Sequence, residues 1–306
     1  MTGKFLINVV GPTAIGKTKM AIALAQHFNT EIISADSRQF YKEMHIGTAV
    51  PSREELNAAP HHFIQCKSIF ESYSVGDFER DALSLLEQLF AQKNTVVMVG
   101  GSGLYINAVT KGLDKFPEIA PEIRQNLNKR LEIEGIEALQ KQLKRLDPLY
   151  YSNVDLENPH RLIRALEVCI GTGKPYSSFL KGKNQKRFFS TINVGLQADR
   201  KVIYDRIDQR VDLMMEEGLL EEAKSLHPHK KENALQTVGY KELFNHLEGM
   251  WELDFAIAEI KKNTRRFAKR QLTWFRKDES ILWFPYDGDV DGVIRSIKDK
   301  MKSSNG

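Results

Sequence analysis

Residues 11–18 read Gly-Pro-Thr-Ala-Ile-Gly-Lys-Thr and match the pattern G-x-x-x-x-G-K-[ST], in which a glycine-bearing turn surrounds an anionic group. The preceding run, Phe5 to Val10, is apolar and β-branched, as in a buried parallel strand. The residues from 17 to about 28 have helical spacing. The stretch therefore predicts a strand, a loop and a helix, with an anion held by Gly11, Pro12, Thr13, Ala14, Ile15, Gly16, Lys17 and Thr18.

The loop offers several means of holding this anion. Its backbone N–H groups turn inward, and the helix N-terminus adds a partial positive charge. Lys17 supplies a full charge, and the hydroxyl of Thr18 is expected to bind Mg²⁺. The pattern predicts a bound phosphate or diphosphate without singling out ATP.

Strand-like and helical segments alternate around this loop. Apolar runs at Glu31 to Ala35, Thr95 to Val99 and Phe188 to Leu196 predict further strands, and residues 77–93 predict a helix. Two long helices are expected at residues 199–226 and 252–277. The alternation predicts an α/β fold, a P-loop doubly wound parallel sheet.

A middle region departs from this alternation. Helical stretches at residues 121–146 and 159–170 have no convincing strand between them, which predicts an all-helical insertion domain. We expect a first core part at residues 1–116, the insertion at 117–187, and a second core part at 188–306 that includes a basic C-terminal helix.

The composition limits the class of protein. The chain has 306 residues with 42% hydrophobic and 27% charged residues, which excludes global disorder and a fibrous fold. Cys66 and Cys169 are expected to be free thiols in a reducing compartment. No segment has 18 apolar residues without a charge, so we expect a cytoplasmic protein without a membrane partner, and nothing suggests an obligate dimer, so a monomer is expected.

A carboxylate follows the second strand, at Asp36. The carboxyl ends of parallel strands meet at the ligand crevice, so Asp36 is expected near the loop. The strand at Thr95 to Val99, where an ATPase would present a metal-binding Asp, runs instead into Gly100-Gly101-Ser102. A turn cap or an indirect metal contact is the structural alternative for Asp36.

Taken in order, several blocks resemble the tRNA dimethylallyltransferase family. They cover nearly the whole chain and read GPTAIGKT, DSRQFYKEMHIGTA from Asp36, HHF from His61, YSVGDFERDA from Tyr73, VGGSGLY, NPHRLIRALEV from Asn158, RIDQRVDLMMEEGL from Arg206, TVGYKEL from Thr237 and NTRRFAKRQLTWFRK from Asn263. The resemblance implies transfer of a dimethylallyl group from dimethylallyl diphosphate to the N6 amine of the adenosine on the 3′ side of the anticodon in tRNA, with release of diphosphate.

The resemblance also implies roles for individual residues. Asp36 would act as general base, and Thr13 and Arg210 would assist departure of the diphosphate. Arg206, one turn earlier, is the less favoured arginine for this role. The structural alternative for both arginines is a solvated ion pair with Asp205, Asp208 or Asp212 on the same helix. The expected tRNA contacts are Asp36, Ser37, Arg38, Gln39, Ser102, Arg124, His160, Arg161, Leu162, Ile163 and Arg164.

Some residues depart from the family's pattern. Ser102 replaces the usual threonine and keeps the hydroxyl, while Phe40, His45, Val50 and Gln65 replace valine, aspartate, lysine and aspartate. None of them is a residue expected to catalyse the reaction, so they bear on substrate affinity rather than on the chemistry.

The net charge of +4 conceals two basic clusters. Lys141 to Ser190 has ten basic and four acidic residues, and Lys261 to Lys277 has eight basic residues and no acidic one. We expect these clusters to grip the anticodon stem-loop of tRNA. Phe267, Trp274 and Phe275 recur at helical spacing within the second cluster, where core packing is favoured over base stacking.

Three alternatives remain open on the residues alone. A P-loop small-molecule kinase shares the loop and sheet but leaves the basic insertion unexplained. A non-catalytic RNA-binding module leaves Asp36 without a role. An adenylate isopentenyltransferase acting on free nucleotides would not need the two basic clusters.

Overall fold

The structure is a computed structural model that describes residues 3–180 and 185–304. Its sheet consists of β1 (Phe5–Val10), β2 (Ile32–Ser34), β3 (His61–His62), β4 (Thr95–Gly100), β5 (Ser190–Gln197) and β6 (Leu282–Pro285). The strands lie in the order β3-β2-β4-β1-β5-β6, and every neighbouring pair is parallel. The predicted parallel α/β fold is confirmed.

The helices lie in the segments of the chain between the strands and after the last strand. They are α1 (Lys17–His27), α2 (Arg53–Ala58), α3 (Val75–Leu89), α4 (Gly103–Lys111), α5 (Pro121–Glu134), α6 (Ile136–Leu146), α7 (Pro148–Tyr151), α8 (Pro159–Thr172), α9 (Arg200–Glu216), α10 (Leu219–Leu226), α11 (Tyr240–Leu247), α12 (Leu253–Phe275) and α13 (Val290–Ser304).

The central strands are buried on both faces, because helices cover the sheet from two sides. Leu6 and Met98 face the core against α3, α4, α10 and α11. Their chain neighbours Ile7 and Val97 face the opposite core against α1, α9 and α13. Such continuous apolar strands are characteristic of doubly wound sheets. The loops after β1, β2 and β4 therefore share one edge of the sheet, where ligands bind in this fold.

The chain divides into two compact units. One is Met1–Lys111 with Lys186–Gly306 and carries the sheet; the other is Gly112–Gln185 and carries α5 to α8. Within its described residues the second unit is helical, with a core of Leu127, Leu139, Leu143, Leu162 and Leu166.

Two expected helices are each broken by a glycine. The stretch 121–146 divides at Gly135, which has φ 78°, and the stretch 199–226 divides at Gly218, which has φ 100°. Both glycines have a positive φ, which glycine adopts without steric cost, and Gly218 is in the left-handed helical conformation. Across the described ranges, the helices are too short or too polar to cross a membrane.

Candidate active site

The phosphate loop connects β1 to α1 in a shape that depends on particular residues. Gly11 has φ 145° and passes so close to β5 that a Cβ there would lie 2.7 Å from the carbonyl oxygen of Leu196. Ala14 adopts φ 62°, a left-handed conformation that costs a non-glycine residue about 1 kcal/mol. Further contacts must therefore hold the loop in this conformation.

Three side chains hold the loop. Lys17 donates from Nζ to the carbonyl oxygen of Pro12 at 2.7 Å, and Arg206 donates from Nε to that of Ala14 at 2.7 Å. The N–H of Thr13 donates to Oε1 of Gln271 at 2.9 Å. The carbonyls at residues 12 and 14 are thus bound to cations.

Lys17, Asp36 and Arg210 meet at this loop, although they are far apart in sequence. Burial lowers the pKa of Lys17 to about 8, the carboxylate of Asp36 opposes this shift, and Arg210 adds to it. Burial also lowers the pKa of Arg210, and Asp36 opposes that shift as well. The site therefore has two partly desolvated cations, and the carboxylate of Asp36 acts on both, an arrangement suited to a polyanion.

Among the described residues, Arg206 and Arg210 form no ion pair with Asp205, Asp208 or Asp212, so that alternative is wrong. Asp208 instead accepts from Arg265 of α12 at 2.6 Å, and Asp212 pairs with Lys261 of α12 at 2.6 Å. Arg206, the less favoured arginine on the resemblance, contacts the phosphate loop itself.

The turn after β2 brings Asp36 and Ser37 beside the turn after β4. Asp36 accepts the N–H of Arg38 on Oδ1 at 3.1 Å, an Asx turn that fixes its carboxylate. The N–H of Ser37 donates to Oγ of Ser102 at 3.3 Å, and the two hydroxyls are also 3.3 Å apart. The predicted contacts Asp36, Ser37 and Ser102 therefore lie together.

Arg38 and Gln39 have protein partners instead. Arg38 donates from Nη1 to the carbonyl oxygens of Asn233 and Ala234 at 3.2 and 3.0 Å. Gln39 donates from Nε2 to the carbonyl of Ala49 at 2.8 Å and accepts from the hydroxyl of Ser34. In this structure both side chains brace the turn that presents Asp36.

Two of the departures from the family's pattern contact each other. Gln65 donates to the carbonyl oxygen of Lys42, and its Nε2 lies 3.4 Å from Nδ1 of His45. Phe40 is a core residue stacked on Phe78.

In the second unit, arginines share a buried carboxylate. Glu167 accepts from Arg124 at 2.8 Å and from Arg164 at 3.1 Å, and it is 6% exposed. Burial raises the pKa of Glu167, but the hydrogen bonds and the positive charges of both arginines together outweigh burial and hold the pKa below its ordinary value. Leu162 and Ile163 are core residues, so only His160, Arg161 and Arg164 of the predicted stretch present side chains to solvent.

The expected packing of the aromatic stripe on α12 is wrong for two of its three members. Phe275 is buried, whereas Phe267 and Trp274 are 39% and 41% exposed. A shallow cleft of about 410 Å³ lies on this face; it is lined by Arg266, Lys269, Arg270, Thr273, Trp274 and Lys277. The face is thus cationic with an exposed aromatic ring.

Comparison with known proteins identifies close relatives. The family model described as IPP transferase matches residues 39–278. A tRNA dimethylallyltransferase of Christiangramia forsetii is 62% identical over 299 residues, covering 98% of this chain and 99% of that protein. The crystal structure of the full-length tRNA isopentenylpyrophosphate transferase of Bacillus halodurans superposes with a TM-score of 0.74 at 37% identity, covering 99% and 98% of the two chains. A eukaryotic dimethylallyltransferase captured acting on tRNA superposes with a TM-score of 0.83 at 25% identity, covering 98% of this chain and 80% of that one.

Proposed function

The chain belongs to the tRNA dimethylallyltransferase family, and we propose that it transfers the dimethylallyl group of dimethylallyl diphosphate to the N6 amine of the tRNA adenosine on the 3′ side of the anticodon. One observation carries the proposal. Lys17 and Arg210, two partly desolvated cations, meet Asp36 at the phosphate loop. The cations suit a diphosphate, and the carboxylate suits an amine that must lose a proton.

The cations act on the leaving group. As the bond between C1 of the dimethylallyl group and the diphosphate oxygen breaks, its electron pair remains on the diphosphate. Donors fixed where this charge develops stabilise the transition state. We assign this role to Lys17, Arg210, the hydroxyl of Thr13 and the remaining loop N–H groups.

Asp36 acts on the acceptor. The adenine amine forms the new C–N bond with its nitrogen lone pair and becomes acidic as it does so. A carboxylate within hydrogen-bond reach takes the proton. The N–H of Arg38 and the Ser37–Ser102 contact support this assignment, because they fix the turn that carries Asp36.

Thr18 fits a Mg²⁺ site that needs few protein ligands. Mg²⁺ commonly keeps several waters and binds through one or two protein groups together with phosphate oxygens. The described residues contain no group of three or more His, Cys, Asp and Glu side chains that would form a full protein cage, so a single hydroxyl beside a diphosphate is the donor set to test. When bound, the ion would neutralise charge on the departing diphosphate.

The tRNA is proposed to bind through cationic surfaces. Within the insertion, we assign Arg124, Arg161, Arg164 and His160 to the RNA backbone, and on α12 the cleft beside Trp274 offers further cations. The target base must leave the anticodon loop to reach Asp36, so contacts that hold an extruded nucleotide are required.

Incubation with labelled dimethylallyl diphosphate and unmodified tRNA tests the function. We expect label in the RNA, loss of that label in Lys17→Met, and full activity in Lys19→Met, which removes an exposed lysine two residues further along the same helix. Label in free AMP but not in tRNA would favour the nucleotide-modifying alternative. Phosphoryl transfer from ATP without prenyl transfer would favour the kinase.

The compartment and assembly are also proposals. Cys66 and Cys169 are unpaired thiols, in keeping with a reducing environment. We propose that the enzyme is cytoplasmic and monomeric. Sedimentation of the purified protein tests its oligomeric state.

A further inference from the structure

Gln271 of α12 joins two turns that serve different substrates. Its Oε1 accepts the N–H of Thr13 in the phosphate loop at 2.9 Å, and its Nε2 donates to the carbonyl oxygen of Gly101 at 3.0 Å. The side chain is 6% exposed. A buried amide with both ends bonded is held in one orientation, so the distance between the turns is set by the length of this side chain.

Gly101 provides the space that this amide needs. A Cβ at Gly101 would collide with Nε2 of Gln271. Gly101 is not among the residues with positive φ, so its backbone conformation is open to other residues. Contact with Gln271, and not the backbone conformation of Gly101, therefore excludes a side chain at this position.

The two bonded turns lead to opposite sides of the reaction. Thr13 belongs to the loop assigned to the leaving diphosphate. Gly101 precedes Ser102, whose hydroxyl contacts Ser37, the neighbour of Asp36 on the acceptor side. On the basis of the proposed function, we infer that Gln271 is a positioning residue that fixes Thr13 on the leaving-group side relative to the Ser102–Ser37–Asp36 side.

The loop itself needs such a fixed point. Ala14, next to Thr13, is held in a left-handed conformation, and the hydrogen bonds made by Gln271, Arg206 and Lys17 to the loop backbone oppose its relaxation. Misplacing a reacting group by about 1 Å can cost on the order of 100-fold in rate. Loss of the Gln271 amide therefore acts on turnover more than on diphosphate binding, since Lys17 and Arg210 remain in place.

Gln271→Met tests the inference, because methionine has a similar length and does not form these two hydrogen bonds. We expect kcat to fall about 10- to 100-fold while KM for dimethylallyl diphosphate changes less than about threefold. Thr30→Val is the matched control: it removes a buried side-chain hydrogen bond to the carbonyl of Thr95, at the opposite end of β4. We expect it to lower Tm by a similar amount and to keep kcat.

A double variant separates positioning from mere stability. If Gln271 acts by placing Thr13, adding Gln271→Met to Thr13→Ala lowers kcat by less than threefold, because the placed hydroxyl is already gone. A full additional 10-fold loss in the double variant, or a Gln271→Met enzyme with wild-type kcat, overturns the inference. Wild-type protein that labels neither tRNA nor AMP would instead overturn the proposed function, and the inference with it.

Discussion

Asp36→Asn should uncouple catalysis from diphosphate binding. The change keeps the size of the side chain and removes its negative charge. As general base the carboxylate contributes about 10²- to 10⁴-fold, so single-turnover transfer to tRNA should fall by that factor. Glu87→Gln, which neutralises an exposed acid on α3, is the control and should retain wild-type turnover.

The same variant should shift the pH dependence of diphosphate binding. In the wild type the pKa of Lys17 is about 8, so about nine tenths of the lysine is protonated at pH 7. Diphosphate prefers the protonated form, so affinity is present below this pKa and is lost as pH rises through it. Asp36 opposes the lowering of this pKa. Without its charge the pKa falls further, and the loss of affinity moves to lower pH.

Calorimetric titration with inorganic diphosphate from pH 6 to 9.5 measures this shift. Ionisation of diphosphate itself is common to both proteins and cancels when their affinities are compared. Turnover within 10-fold of the wild type would refute the role of Asp36 as base. An unchanged midpoint would show that its charge does not act on Lys17.

Three further changes test other parts of the site. Lys17→Met should raise Tm by a few degrees at pH 7, because the folded-state pKa of the lysine, about 8, lies below its ordinary value of 10.5, so the charged lysine destabilises the fold. The gain in Tm should shrink as pH rises from 8 towards 10.5. An unchanged Tm would contradict the desolvation of Lys17. Arg164→Ala should reduce the slope of log affinity for tRNA against log salt by about 1 in filter binding, and an unaltered slope would remove it from the interface. Thr18→Ala should raise the Mg²⁺ concentration for half-maximal turnover about 10-fold or more, and Thr18→Ser should restore it. The same Mg²⁺ dependence in the wild type and both variants would argue against Thr18 as a Mg²⁺ ligand.

The fold was predictable where burial leaves a mark on the sequence. Strands β1 and β4 are enclosed on both faces and so read as unbroken apolar runs. Strands β3 and β6 were missed, because β3 has two histidines and β6 is a partly exposed Leu-Trp-Phe-Pro segment at the sheet edge. Both helix breaks were also missed, since Gly135 and Gly218 interrupt helical patterns without altering the apolar spacing around them.

The candidate site was predictable to different depths. Lys17 follows from a local motif, and Asp36 follows from the rule that parallel strands end at the ligand edge. The position of Arg210 at that edge is implied only by the resemblance, because an arginine among acidic residues on a helix has no distinctive spacing. Gln271 gave no signal, since a glutamine within a basic helix is indistinguishable from a solvated residue until its burial is known.

Helix α12 shows why a charge cluster alone misleads. The sequence assigns its basic residues to tRNA as a group. Lys261 and Arg265 instead pair with Asp212 and Asp208, so they hold α9, which carries the arginines of the phosphate site. The cations that line the cleft beside Trp274, which we propose for RNA binding, lie in the C-terminal part. Between these two parts Gln271 is bonded to the loop itself. Removing the helix would therefore disrupt the proposed diphosphate site and the basic surface together. Single substitutions on each face are needed to assign the roles of the helix.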